Sequence, residues 1–301
     1  FAAHTPRRTR ADLALDPVNY VRDFWNAGRP ATLDDFPLAP EGPFGHAVLF
    51  RAEPDPDFRP LLLVPRARLH NSPIDIKGPR QSVTLIVWLR REAGNHALAG
   101  IWHEGTDLKD HQGPTPALVQ RGMRQYALFA GLAANPGASA AHLSDNGASS
   151  FGDRYARHLS VTPDLLPNNQ WTAAAFVFDN RANTVTSYIN GLAQEHWIEN
   201  PAQHPFFQHH ARAYERGEYR PPRAFVRLDP AGRLAALRVN PYWFPHDLYT
   251  PATPAEGGPF TIGRVIHHGR SNGFTGAIGG VAVFRRALPE KDLRRLAFST
   301  P

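Results

Sequence analysis

From Val83 to Phe284 the chain is cut into short apolar runs with turn-forming residues between them, and this spacing constrains its fold more than any other feature. The runs are Val83 to Leu89, Leu98 to Trp102, Gln125 to Leu132, Ala140 to Leu143, Ala173 to Phe178, Thr184 to Ile189, Phe225 to Leu228, Phe260 to Ile262 and Ala277 to Phe284. Runs of this length bounded by Gly, Pro and Asn read as strands, and many of them in succession read as two packed antiparallel sheets. The 29 prolines and 24 glycines are spread along the chain, which suits a fold with many turns. With 301 residues and 42% hydrophobic content the chain can bury one large core.

Two stretches are more specific. Trp171 to Asp179 and Thr184 to Ile189 flank a short turn at Asn180 to Asn183, the pattern of a hairpin, and Asn190-Gly191 closes the following turn. Near the end, Val281 to Phe284 reads as a strand, Arg285 to Leu288 as a turn, and Pro289 as the first residue of a short helix, where its missing N–H does no harm. Upstream, His46 to Phe50 and Leu61 to Val64 read as strands around a Glu53 to Asp57 loop, and Phe36 to Phe44 as proline-rich connection. Asp16-Pro17 reads as an N-cap and first helical residue, with Val18, Val21, Phe24 and Trp25 on one face before Gly28 and Pro30. An arm and one short amphipathic helix are therefore expected over residues 1–45, packed on a sandwich over residues 46–301. The stretches Thr106 to Arg121 and Asn200 to Pro222 exceed ordinary connections and are expected to wall a binding groove.

Composition removes several function classes. No apolar run approaches twenty residues, so no membrane span is expected. The absence of cysteine excludes disulfides and thiolate metal sites. The net charge of +6, carried by a heavy excess of arginine over lysine, reads either as a trace of nucleotide composition or as a surface that attracts anions. The one basic cluster, Arg7-Arg8-Thr-Arg10, reads as a solvated arm, and no nucleic-acid-binding signature accompanies it. The sequence opens on Phe1 and its single methionine is Met123. A removed signal peptide and a secreted or periplasmic location are expected on that ground, with trimming of the sequence as the alternative.

Four segments together resemble a known superfamily: Trp171-Thr-Ala-Ala-Ala-Phe-Val-Phe-Asp179, Ser187-Tyr-Ile-Asn-Gly191, Phe260-Thr-Ile-Gly263 and Gly276-Ala-Ile-Gly-Gly280 running on to Leu288. The pattern is similar to that of concanavalin A-like lectins and glucanases, especially the laminin-G-like branch. Its usual form is a W-x-x-V-A-x-x-Y-D strand, an L-Y-V-N-G strand, an F-x-I-G strand and a closing G-x-I-D strand that ends in R-A-L. The resemblance covers the second half directly and reaches the first half through Ser82 to Leu89. It implies an all-β jelly-roll sandwich whose concave sheet and rim loops meet ligands, often saccharides, sometimes with calcium at the rim. At Gly279-Gly280 this chain departs from the acidic pair that the branch more often carries.

Strand alternation then selects residues. In Met123 to Phe129, strict alternation puts Arg124, Tyr126 and Leu128 on one face, expected to be the open one, and Ala127 and Phe129 on the core face with Gln125. Arg124, Tyr126 and His142 are the candidate catalytic residues. His103, Glu104, Gln125, Tyr155, Arg157, Tyr242 and Trp243 are the candidate ligand contacts. Aromatic side chains stack on the apolar C–H faces of sugars, while arginine and amides grip carboxylates and hydroxyls. Asp145, Asn146 and Asp153 could hold a calcium ion through oxygen atoms. Each has an ordinary competing role: core or rim packing for Trp102, Trp171 and Trp243, a structural hydrogen bond for His142, and turn formation for Asp145 and Asn146.

The catalytic signatures known in this superfamily are absent. There is no E-x-D-x-x-E strand of the glucanases, since Glu195 to Asn200 lacks the middle aspartate, and neither a Q-[IV]-H nor an R-x-E-x-R strand of alginate lyases. His103-Glu104 does not continue into a zinc motif. The leading expectation is a protein that binds a polysaccharide or glycan, with an acidic one favoured by the charge. A polysaccharide lyase built on Arg124, His142 and a tyrosine is the first alternative, ahead of a glycoside hydrolase, and a non-catalytic adhesion module is the second.

Overall fold

A computed structural model of the protein describes residues 13–21, 24–25, 28–103, 123–132, 135–147, 158–266 and 273–298. In chain order the strands begin with β1 (Asp16–Val21), β2 (Phe24–Trp25), β3 (Leu38–Gly42), β4 (Gly45–Phe50), β5 (Pro60–Val64) and β6 (Val83–Arg91). Next come β7 (His96–His103), β8 (Met123–Leu132), β9 (Asn135–Leu143), β10 (His158–Leu165), β11 (Trp171–Asp179) and β12 (Thr184–Ile189). They end with β13 (His196–Glu199), β14 (Val226–Leu228), β15 (Leu234–Asn240), β16 (Tyr242–Trp243), β17 (Phe260–Ile262) and β18 (Gly276–Phe284). Two helices of eight residues, α1 (Gln208–Glu215) and α2 (Glu290–Ala297), stand outside the sheets.

The strands form two antiparallel sheets, as the spacing of apolar runs requires. The eight-stranded sheet has the order β10-β9-β8-β7-β17-β5-β1-β2. The ten-stranded one has the order β13-β15-β16-β12-β11-β6-β18-β4-β3, with β14 paired to β15. Alternation decides what each strand buries. Leu85, Val87 and Leu89 of β6 and Ala174, Phe176 and Phe178 of β11 face inward, where they meet Ala99, Ile101, Leu128, Phe260 and Ile262 of the opposite sheet. This is the core of a β-sandwich, and full burial of each large side chain in it contributes roughly 1.5 to 3 kcal/mol.

The residues between these point outward and are covered differently on the two sheets. On the ten-stranded sheet, Ile86, Trp88, Ala173, Ala175 and Val177 pack under α2 through Leu293, and Trp88 Nε1 donates to the Leu296 carbonyl at 3.2 Å. On the eight-stranded sheet the outward set includes Trp102, Ala127, Phe129, Ala140, Leu159 and Val161. Ile198 of β13, Leu237 of β15 and Ala211 of α1 pack against that set.

The expected hairpin is present, with β11 and β12 paired from Ala174↔Ile189 to Asp179↔Thr184. Asn190 and Gly191 after it have φ of 52° and 72°. A Cβ on Gly191 would lie 2.5 Å from the Arg294 backbone of α2, so both the left-handed conformation and the helix contact demand glycine. Pro289 is the N-cap of α2 and Glu290 its first residue, so the helix begins one residue later than expected. The Gly279-Gly280 departure also has a physical reason. A Cβ on Gly279 would come within 2.5 Å of the Pro43 ring, and one on Gly280 within 3.0 Å of Phe44, so ring carbons occupy the space of an acidic pair.

The helix expected over residues 16–25 is not formed. β1 pairs with β5 from Asp16↔Leu63 to Asn19↔Pro60, and β2 pairs back on β1. The apolar positions fit a period of 3.6, but the buried set alternates: Val18 and Tyr20 pack with Leu61, Leu63 and Ile266. Asn19, on the other side, donates to the Arg29 and Asp57 carbonyls and accepts from the Arg59 N–H. Residues 200–222 are likewise not open loop, since they contain α1 and one short 3₁₀ turn at Pro201–Gln203. Residues 106–121 lie outside the described residues.

Candidate functional site

A β-bulge sets the geometry of the outward face of the eight-stranded sheet. Ile101 of β7 pairs with Tyr126 of β8, but the next residue, Trp102, pairs with Arg124, so Gln125 is the extra residue. Cross-strand partners share a face, which puts Arg124 with Trp102 on the outward side and Tyr126 with Ile101 on the core side. Beyond the bulge, Ala127 pairs with His142 and Phe129 with Ala140, both on the outward side. The alternation read from the sequence is therefore inverted over β8: Ala127 and Phe129 face outward, while Tyr126 and Leu128 fill the sandwich core.

Four side chains meet there. The Arg124 guanidinium carbon lies 5.4 Å from the centre of the Trp102 ring. The His142 ring lies 5.4 Å from Trp102 at an interplanar angle of 79°, and 4.6 Å from Phe129. Arg124, Trp102 and His142 are 2%, 1% and 1% exposed, so a ligand reaches the guanidinium only by displacing what covers it. His103 follows Trp102 at the end of β7, edge-on to Tyr20 at 6.0 Å. Burial, and then the nearby charge of Arg124, push its pKa down to about 4, so it is a neutral imidazole at physiological pH.

In a site with little water a fixed guanidinium forms strong charge-assisted bonds to a carboxylate, and the indole face supports the cation. His142, packed on the same indole ring, is the imidazole placed to accept a proton. The arrangement is thus suited to an anionic ligand and holds one base next to it.

The other sequence candidates fall elsewhere. Tyr126 is fully buried and its hydroxyl donates to the Ile74 carbonyl at 2.6 Å, which removes it from the site. Gln125 is buried too, with its amide donating to the Ile76 carbonyl at 3.3 Å. Tyr242 is a core residue whose hydroxyl lies 2.8 Å from His210 Nε2, so it is not a ligand contact. Trp243 packs on Tyr219 with ring centres 5.8 Å apart, in the same separate cluster. Asp145 faces His246 at 3.4 Å, and Asn146 accepts from the Ser144 hydroxyl within a turn. Among the described residues no group of three His, Cys, Asp or Glu side chains is gathered for a metal ion. Glu104, Asp153, Tyr155 and Arg157 lie outside the described residues.

The packing role expected for Trp102 is what the structure shows, since it is buried against Phe129, and its ring also carries Arg124 and His142. Other buried charges serve the fold instead. Arg91 donates to the carbonyls of Glu92, Gly94, Gly137 and Leu166, locking three connections together. Asp75 accepts from Arg66 at 2.9 Å and from Lys77. Burial alone would raise its pKa, but those bonds hold it below the ordinary carboxylate value.

Fold and site together define an antiparallel β-sandwich with a cationic, aromatic cluster on one outward face. No protein-family model matches the chain, and no curated protein matches it. Among solved structures it is similar to domain 4 of AbnA, a GH43 extracellular arabinanase from Geobacillus stearothermophilus in complex with arabinotriose. That likeness has 15% identity over 94% of this chain and 87% of the other, with a TM-score of 0.47. The CBM40 of a Ruminococcus gnavus IT-sialidase, bound to α2,3-sialyllactose, matches at 13% identity over 73% of this chain and 84% of the other, with a TM-score of 0.40. The binding domain of botulinum neurotoxin serotype G matches at 10% over 95% of this chain and 50% of the other, with a TM-score of 0.42. At such identities no residue role passes from these proteins to this chain.

Proposed function

We propose that the protein is an extracytoplasmic, laminin-G-like sandwich that binds an acidic polysaccharide or glycan on the outward face of the eight-stranded sheet. The observation that carries this reading is the Arg124 guanidinium held 5.4 Å from the Trp102 ring centre, with His142 against the same ring. Arg124 takes the sugar carboxylate and Trp102 and His142 flank it, while Glu104, Tyr155 and Arg157 serve as further contacts. The net charge of +6 draws an anionic polymer to the surface. Calorimetric titration with oligogalacturonate and with a neutral oligosaccharide tests the reading. Arg124→Ala should weaken the acidic ligand by roughly 1.5 to 3 kcal/mol, the range of a charge-assisted bond, and leave the neutral one almost unchanged. Equal loss for both ligands would mean that Arg124 supports the sheet and reads no carboxylate.

The His142 ring packed on Trp102 beside Arg124 favours one further reading, cleavage of the bound uronide by β-elimination. Arg124 would neutralise the carboxylate, and His142 would remove the proton at C5. The electron pair of that C–H bond then forms the C4–C5 double bond as the C4–O bond breaks, and the leaving oxygen takes its proton from water or from the imidazolium just formed. Tyr126 does not supply that proton, because its hydroxyl is committed to Ile74 in the core. Growth of the ultraviolet band of an unsaturated uronide tests this step, and binding without product would confine the protein to recognition.

A further inference from the structure

The ribbon formed by β13, β15 and β14 turns one face into the cluster that contains Trp102 and presents the other to solvent. Ile198, Leu237 and Val226 are cross-strand partners and pack inward. One residue along, Trp197 pairs with Arg238, while Ala236 pairs with both Glu199 and Arg227. Alternation places Trp197 and Glu199 together with these arginines on the outer face, and Glu195, just before β13, joins them through its contacts.

Their contacts form one network. The Arg227 guanidinium carbon sits 4.1 Å from the centre of the Trp197 ring. The same guanidinium donates to Glu199 Oε1 at 3.1 Å. Trp197 Nε1 donates to Glu195 Oε1 at 2.5 Å, and Arg238 Nη2 lies 2.8 Å from Glu195 Oε2. Side-chain exposure is 57% for Arg227, 62% for Glu199 and 53% for Glu195, against 22% for Arg238. Ala236, fully buried beneath the stack, leaves room for the indole and the guanidinium to lie over the ribbon.

We infer that this face is a second saccharide subsite, for a neutral sugar, with Trp197 as its platform. The inference rests on the carbohydrate-binding reading and adds a place on the molecule to it. An indole offers its face to the apolar C–H side of a pyranose or furanose, and carboxylates and guanidinium groups at its edge bridge the hydroxyls. Two glutamates and two arginines balance in charge, so an anionic sugar gains nothing there, in contrast to the cationic cluster at Arg124. Arg227 is the part that yields: well exposed and joined among the described residues to Trp197 and Glu199, it vacates the ring face when a sugar stacks and stays bonded to Glu199.

Titration of the full chain with cellohexaose, xylohexaose and arabinohexaose, and separately with oligogalacturonate, tests this, with thermal midpoints recorded to confirm folding. Trp197→Ala should lower affinity for whichever neutral hexaose the unaltered protein binds by about tenfold, and leave oligogalacturonate unchanged. Arg227→Ala clears the ring and should raise that neutral affinity about two- to fivefold, the strength of an exposed cation–π contact that no longer competes. A purely structural stack predicts the opposite: no change in sugar binding and a lower thermal midpoint for both variants. If the unaltered protein binds a neutral hexaose and both variants bind it equally well, the subsite is wrong and the carbohydrate reading stands. If the unaltered protein binds none of the four probes, the carbohydrate reading falls and takes the subsite with it.

Discussion

His103 gives the sharpest test of the site's electrostatics, because its depressed pKa is a statement about stability as a function of pH. In the unfolded chain a histidine titrates near 6.5, whereas in the fold burial and then Arg124 push His103 down to about 4. As the pH falls, the unfolded chain therefore takes up the proton first. The stability due to a neutral His103 is complete above about pH 6.5 and is lost as the pH falls toward about 4. At about pH 5 the unfolded histidine is almost fully charged and the folded one is still neutral. At roughly 1.36 kcal/mol for each pH interval the cost is then about 2 kcal/mol, rising to roughly 3 near pH 4. Glutamine at position 103 fills a similar space without titrating. Urea unfolding of the natural protein and of His103→Gln, followed at about pH 7.5 and about pH 5, should show the natural protein losing about 2 kcal/mol more than the variant over that interval. Parallel loss in the two proteins would refute the argument, because it would mean that His103 is protonated in the fold at about pH 5 despite its burial and the Arg124 charge.

Tyr126→Phe should cost about 1 kcal/mol of stability, since it removes one hydrogen bond and leaves the Ile74 carbonyl without that donor, and saccharide binding should not change; a binding loss without a stability loss would return Tyr126 to the site. Gly191→Ala should cost roughly 2 to 4 kcal/mol in chemical unfolding, because a left-handed alanine is strained and its Cβ meets the Arg294 backbone. Faster amide hydrogen exchange in α2 than in β6 of that variant would locate the damage where the helix meets the turn. Gly280→Glu should be destabilised by a similar mechanism, by displacing Phe44 from Trp88, and added calcium should not rescue its thermal midpoint.

The parts of the fold that could be read from the sequence are those where one signal acts alone. Trp171 to Ile189 alternates, has one turn and no competing pattern, and its strand pairing follows. Residues 16–25 carry two patterns at once: Val18, Val21, Phe24 and Trp25 fit a helical period, while Val18 and Tyr20 fit a strand. The edge of β5, with its backbone groups open for pairing, favours the second. β10 carries Pro163 and β13 is only four residues long, so neither stands out as an apolar run. The site was half legible. Arg124 and His142 could be picked by residue type, but the face they share depends on the bulge at Gln125, for which the local sequence carries no mark. One extra residue exchanges the two faces of a strand, so every orientation read across that point by strict alternation was inverted.

That bulge also explains why the polar cluster lies where it does. The middle of the ten-stranded sheet cannot host it, because α2 covers the outward side of β6 and β11 and the rings of Phe44 and Trp88 fill the space beside β18. On the eight-stranded sheet an unbroken alternation would have driven Arg124 into the sandwich core beside Ile101 and Phe176, where an unmatched cation costs several kcal/mol. The extra residue turns Arg124 outward onto Trp102 and leaves Tyr126, whose single hydroxyl is satisfied by Ile74, to fill the core. β13 links the two proposed subsites through the same cluster. Ile198 packs within the apolar group that includes Trp102 and Phe129, and Trp197, one residue away, faces the solvent. Trp197 and the apolar group that holds Trp102 thus lie on opposite faces of one short strand, so Trp197→Ala reaches the neutral subsite without touching the ring that supports Arg124.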